Sequence, residues 1–179
     1  MSFLALTLLA PLLAGLAILV LRRASQALAV TGAALGLIGA IGLVVAASGS
    51  PVQAVLPGLP NMPLLLVATP LTAVLSLVVA TVAGFVLTYA EKPRFFGTML
   101  LFVAAMQALV LAGDWIMLLA AWEMIGFASY LLIGFWHGRA GVASAATRAF
   151  LYTRTADLGL YLGAFLLIGT AGTSEISAT

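Results

Sequence analysis

Apolar residues run along this chain in blocks of about 20, each long enough to cross roughly 30 Å of hydrocarbon at about 1.5 Å per residue. The blocks are Phe3–Leu21, Ala27–Ala47, Leu66–Ala90, Phe96–Ala112, Trp115–Trp136 and Ala146–Gly169. They predict an all-α polytopic bundle of about six membrane-spanning helices. Between the second and third blocks, residues 48–65 contain Pro51, Pro57, Gly58, Pro60 and Pro63. Prolines at that density exclude a regular helix, so this stretch is expected to be an exposed loop. The first block has no basic residues ahead of it, and Arg22 and Arg23 follow it. It is therefore read as a retained helix and not as a cleaved signal.

The breaks between blocks carry an orientation. Arg22 and Arg23 follow the first block, Lys92 and Arg94 follow the third, and Arg139 follows the fifth. The other two breaks hold no Lys or Arg, so every basic break falls on one side, which is the cytoplasmic side. The N-terminus is then outside. Trp115 and Trp136 stand at opposite ends of the fifth block, where interfacial aromatics belong. In the second block Gly32, Gly36, Gly39 and Gly42 recur every three or four residues, a stripe that lets two helix backbones approach. It points to packing and not to chemistry.

Composition narrows the class further. Hydrophobic residues make up 64% of the 179 and charged residues 7%, where a soluble domain carries about 25% charged. The mean hydropathy is +1.26. The chain has no cysteine, which excludes disulfides and cysteine-held zinc or iron–sulfur clusters within it. A lone histidine, His137, falls in a basic break and is read as solvated. A pI near 9.4 reflects a net charge of only +2, which fits membrane topology and argues against a nucleic-acid partner.

Three charged residues lie deep enough in the blocks for lipid to make charge costly: Glu123, Arg154 and Asp157. Glu123 lies roughly 12 Å below the outer surface, counted at 1.5 Å per residue. Asp157, on the returning sixth helix, comes out about 14 Å from the same surface of a roughly 30 Å core. The two carboxylates are therefore expected at nearly one depth. Arg154 and Asp157 are three residues apart and share a helix face, so they are expected to pair. Glu123 has no cation within a turn of its own helix, and a buried carboxylate in that setting is suited to taking up and releasing a proton. Arg154 could exchange between the two acids. The alternative is that the trio only holds helices together, which for Arg154 and Asp157 is the more open question. Arg148 can reach the cytoplasmic surface as an anchor or an entry charge. Gln107, Ser129 and Tyr130 are candidates to hold water near the carboxylates.

The stretch from Glu91 to Gly172 resembles the largest antiporter-like membrane subunit of proton-pumping NADH:quinone oxidoreductase, respiratory complex I. The pieces that carry the resemblance are Trp122–Glu123, Ser129–Phe135 and the T-R-x-x-D of Thr153–Asp157. The resemblance implies 1–90 as three N-terminal transmembrane helices and 91–179 as the start of a proton-channel repeat. It implies a proton-translocating membrane subunit in which Glu123 lines a proton channel and Arg154 and Asp157 form a charged pair. The redox chemistry would lie in partners, since nothing here resembles a glycine-rich dinucleotide loop. No cofactor and no metal are expected on this chain. The expected partners are the lipid bilayer of the inner (cytoplasmic) membrane and other membrane subunits, including one that supplies the later helices. Related subunits of multisubunit cation/proton antiporters share W-E and L-L-I-G segments, and inorganic-carbon uptake complexes contain relatives too. Two departures stand out: Thr69–Pro70 occupies a position where the family commonly has an acid, and the lysine partner of the family's glutamate is not present.

Overall fold

A computed structural model describes residues 2–21, 26–59, 62–89 and 93–178. Six helices follow the apolar blocks: α1 (Ser2–Leu21), α2 (Gln26–Ala47), α3 (Pro70–Tyr89), α4 (Pro93–Val110), α5 (Trp115–Ile133) and α6 (Val142–Ala171). A 3-10 turn, Gly134–Trp136, extends α5. Among the described residues, four helical stretches are long and apolar enough to span a membrane: Phe3–Leu21, Gln26–Ala47, Pro70–Tyr89 and Trp115–Trp136. The apolar part of α4, Phe95–Val110, is shorter. α6 has the length, at 30 residues, but carries Arg148, Arg154 and Asp157. Of the cations that orient the bundle, Arg22, Arg23 and Lys92 lie outside the described residues.

The glycine stripe does what its spacing predicts. A Cβ at Gly39 would stand 2.5 Å from Thr7 Oγ1, and one at Gly36 would stand 3.4 Å from the Pro11 ring. Gly32 lies against Ala14 and Gly42 against Phe3, so α2 runs antiparallel down α1 with almost no side chains between the backbones. Such contacts replace the hydrophobic effect, which is absent between helices in lipid. α4 crosses α1 in the same way, with Gly15 placed 3.0 Å, measured to an added Cβ, from the Gly97 carbonyl. A buried reciprocal pair joins α3 to α4: Ser76 Oγ donates to Gln107 Oε1 at 2.6 Å, and Gln107 Nε2 donates to the Ser76 carbonyl at 3.0 Å.

Residues 48–59 and 62–65 are not helical, but they are more than an exposed loop. β1 (Val52–Leu59) and β2 (Met62–Ala68) form an antiparallel hairpin, with Val52 opposite Ala68. The third helix, expected from Leu66, accordingly begins at Pro70. The reason is local and tertiary together. Thr69 and Thr72 cap the helix reciprocally, Thr69 N donating to Thr72 Oγ1 at 2.8 Å and Thr72 N to Thr69 Oγ1 at 3.2 Å, and Pro70 takes the first helical position, where its missing N–H costs nothing. β2 is meanwhile held by the α4–α5 connection: Val67 N donates to the Leu111 carbonyl and Gly113 N to the Leu65 carbonyl, both at 2.8 Å. Leu66 and Ala54 of the hairpin join Leu4, Leu8, Leu43, Leu111 and Met117 in one buried cluster. A second cluster, around Ala14, Ile18, Ala29, Leu87, Phe96 and Leu100, fills the opposite end of the bundle.

The 173–178 segment adds to the same end as the hairpin. Trp115 N donates to the Ser174 carbonyl at 2.8 Å and Ile176 N to the Gly113 carbonyl at 3.1 Å. Three connections of the chain thus meet in one layer. Asp114 lies at its centre, 1% exposed. Its Oδ1 caps α5 by accepting from Met117 N at 2.8 Å, and its Oδ2 accepts from Leu65 N.

Candidate functional site: a shared guanidinium between α5 and α6

α5 leaves the layer at Asp114 and α6 returns to it at Ser174, so the two helices run antiparallel with their middles side by side. That arrangement brings all three intramembrane charges together. Arg154 Nη1 forms an ion pair with Glu123 Oε1. The same nitrogen stands 3.5 Å from Asp157 Oδ2 and 3.5 Å from the Tyr161 hydroxyl, both on its own helix. Below the guanidinium lies the Phe150 ring, with Cζ 4.9 Å from its centroid.

The geometry revises the sequence-based expectation in two ways. Spacing alone pairs Arg154 with Asp157 and leaves Glu123 without a partner. Instead, one guanidinium serves both acids, because the cation that matches Glu123 comes from the neighbouring helix and not from its own. Glu123 is also expected to be buried, yet its side chain is 43% exposed, against 20% for Arg154 and 7% for Asp157. Glu123 lies at the margin of the α5–α6 contact, and among the described residues no helix covers that margin. The acid that is enclosed is Asp157.

What encloses Asp157 is a residue whose chemistry the sequence pattern does not expose. The indole Nε1 of Trp122 donates to Asp157 Oδ1 at 2.8 Å. In the sequence Trp122 stands out only as a neighbour of Glu123. Its donor faces a different way from the adjacent carboxylate on α5, which is what consecutive helical positions about 100° apart allow. A buried carboxylate needs such donors to remain charged without penalty.

A cavity of about 490 Å³ opens beside the trio. Met106 and Leu109 of α4 form one wall, Ser129 and Tyr130 of α5 another, and Phe150 and Thr153 of α6 a third, with Arg154 and Asp157 at the edge. Its lining is mostly apolar, with the polar groups of Ser129, Tyr130, Thr153, Arg154 and Asp157 among the residues around it. Ser129 and Tyr130, two of the candidates to hold water near the carboxylates, line this cavity. Gln107 does not: its amide is consumed by Ser76. Arg148 is exposed and bonds only within its own helix, to Ser144. His137 is exposed as well. Among the described residues, no group of three or more histidines or carboxylates comes together in a way that could hold a metal ion.

The first helices of the bundle thus pack through glycine, the later pair carries a cation shared by two acids, and four of the described helical stretches are long and apolar enough to span a membrane. Residues 112–179 match the model of a family described as NADH:quinone oxidoreductase/Mrp antiporter, TM. Over 90 residues the chain is 44% identical to the NADH-quinone oxidoreductase subunit L of Mycobacterium tuberculosis (strain ATCC 25618 / H37Rv), a match covering 50% of this chain and 14% of that one. It is 41% identical over 115 residues to the chloroplastic NAD(P)H-quinone oxidoreductase subunit 5 of Adiantum capillus-veneris, covering 60% of this chain and 16% of the relative. The chain thus spans about a sixth of the length of the curated relatives it matches. Among solved structures, a chain of the Mrp complex from Dietzia sp. DQ12-45-1b superposes with a TM-score of 0.83 at 26% identity, over 97% of this chain and 20% of that one. The membrane-bound sulfane sulfur reductase, an archaeal respiratory membrane complex, shares the fold with a TM-score of 0.82 at 20% identity. The resemblance read from Glu91–Gly172 stands. The relatives are subunits of multisubunit complexes.

Proposed function

We propose that this chain forms part of the proton-translocating membrane subunit of an NADH:quinone oxidoreductase, with Glu123, Arg154 and Asp157 as the groups that carry or gate the proton. The single observation that supports this most is the placement of one guanidinium between two carboxylates beside a cavity of about 490 Å³. Two acids compete for one cation, so a proton arriving on either acid releases Arg154 to the other. Proton position and the position of a positive charge are then linked, and that linkage is what a pump must use.

The roles divide according to exposure. Glu123 is the accessible acid and exchanges its proton with the outside of this helix pair. Asp157, held by Trp122, is the fixed acid that keeps Arg154 within reach. Serine and tyrosine hydroxyls at positions 129 and 130 line the cavity through which water connects the trio onward. In this reading residues 1–90 form the N-terminal scaffold and 91–179 open the channel repeat. Redox cofactors belong to other subunits, the partners are other membrane subunits, and the membrane is the inner (cytoplasmic) one.

A second reading is favoured by the superposition on the Mrp complex, which covers nearly the whole chain: a cation/proton antiporter component without redox partners. Both readings use the same trio. The experiment that tests the proposal is Glu123→Gln in native membranes, followed as NADH-driven acidification together with assembly of the complex. Loss of proton movement with assembly retained supports the proposal. Undiminished proton movement sinks it. Sodium-dependent transport with no NADH dependence transfers the trio to the antiporter reading.

A further inference from the structure

Arg154 reaches Glu123 at a place where α5 presents bare backbone. Gly126 is one turn beyond Glu123, and a Cβ at that position would overlap Arg154 Nη2 and stand 3.1 Å from Cζ and 3.8 Å from Nε. The three nearest atoms all belong to Arg154. The other close-packed glycines among the described residues meet uncharged groups. Gly15 faces the main chain and a β-carbon of α4, Gly39 faces the main chain and hydroxyl of Thr7, and Gly42 and Gly97 face the side chains of Phe3 and Leu19. Gly126 makes room for a charged head.

The Phe150 ring lies beside the same guanidinium, 4.9 Å from Cζ to the ring centroid. An added Cβ at position 126 would stand beyond the tip of Nη2, so the bare backbone of α5 receives the end of the head. A methyl group there would not leave room for Nη2. With the head flush against α5, the one nitrogen Nη1 reaches both Glu123 and Asp157. Displaced outward by a methyl, Arg154 keeps Asp157, which lies one turn away on its own helix, and loses Glu123 across the gap.

We propose that Gly126 is a positioning residue for the proposed proton relay: the absence of a side chain there creates the seat from which Arg154 bridges the two acids. The proposal deepens the function given above and rests on it for its meaning, but not for its geometry. The groups that face the seat are Glu123 from α5 and Asp157 and Tyr161 from α6; α4 contributes only the apolar Met106 and Leu109 to the adjoining cavity.

The test is a double-mutant cycle in the assembled complex, using Gly126→Ala, Arg154→Lys and both together. Two readouts are taken: proton movement in native membranes, and the thermal midpoint of the purified assembly. A lysine has no planar fork at Nη2 and passes beside a methyl. The expected result is that Gly126→Ala lowers transport about fivefold or more when Arg154 is present, and has less than about a twofold effect when combined with Arg154→Lys. The thermal midpoints should show the same non-additivity. Additive losses in both readouts would mean that position 126 acts through helix packing, and the proposal falls. So would an unaltered Gly126→Ala variant. If Glu123→Gln leaves proton movement intact while the thermal cycle remains non-additive, the seat is real and the assigned function is what fails.

Discussion

Trp122 and Asp157, on different helices and 35 positions apart, are joined by a 2.8 Å hydrogen bond from the indole nitrogen to Oδ1. The bond fastens the acid that is 7% exposed. The acid that is 43% exposed, Glu123, is the residue next to Trp122 on the same helix. Two neighbouring positions of α5 thus serve the two carboxylates separately, one as donor and one as the acid itself. Trp122→Phe keeps the ring and removes the donor. The expected cost is about 2 kcal/mol, as for a lost bond to a charged group. Proton movement should fall while the helix pair stays folded, as checked by transport and circular dichroism on the same preparation. Unchanged transport would show that Asp157 needs no donor from α5.

Ser76 and Gln107 form another buried polar contact of the bundle, and it lies outside the charged trio. Ser76→Ala leaves Gln107 Oε1 without its 2.6 Å donor while the Nε2 bond to the carbonyl of residue 76 remains. A loss of about 1–2 kcal/mol in stability is expected. It should appear as a lower thermal midpoint in detergent with the transport rate unaltered. A transport defect at full stability would move this pair into the proton path.

Gly39 and Gly84 offer a controlled comparison of helix glycines. A Cβ at Gly39 would lie 2.5 Å from Thr7 Oγ1 and 2.7 Å from Thr7 N, whereas one at Gly84 meets nothing within 4 Å. Gly39→Ala should separate α1 from α2 and cost about 1–3 kcal/mol by overpacking. Gly84→Ala should be neutral or slightly stabilising, since alanine is the better helix former. Equal thermal midpoints for the two variants would remove the glycine stripe from the account of how α1 and α2 associate.

Asp114 combines a helix cap with a bond to the hairpin. Asp114→Ala loses the cap, worth about 1 kcal/mol, and leaves Leu65 N without its acceptor. Asp114→Asn keeps an oxygen for the cap. The alanine variant should be the less stable of the two, with faster amide exchange at Leu65 and Met117. Equal exchange in both would show that the carboxylate holds neither amide.

The helices are legible in the chain because lipid imposes one rule on every block: satisfy the backbone internally and present apolar side chains outward. Gly32, Gly36, Gly39 and Gly42 carry their meaning in their spacing, and α1 meets them as expected. The start of α3 is legible in principle, since Thr69–Pro70 followed by Thr72 is a helix-start pattern, but an apolar run from Leu64 masks it. β2 is not legible. Its Leu-rich sequence favours no strand, and its conformation is set by main-chain groups of residues 111–113, far along the chain. The charged trio can be read from the sequence, but its pairing cannot, for a related reason. Spacing on one helix shows Arg154 beside Asp157, whereas the approach of Glu123 depends on how α5 and α6 rotate against each other. Gly126 is the residue that could have signalled it, being the small position one turn from the acid.

The layer in which β2, residues 111–114 and residues 174–176 meet is held by main-chain atoms, with Asp114 the side chain at its centre. Every residue except proline brings the same N–H and C=O to such a bond. Apart from the buried Leu66, Ala68 and Leu111 and the closely packed Gly113, side chains along these three connections are therefore free to diverge from one relative to another without loosening the end of the bundle they close. Beyond those packed positions, two kinds of change would still register there: a proline placed at one of the donors Val67, Gly113, Trp115 or Ile176, and the loss of a single aspartate.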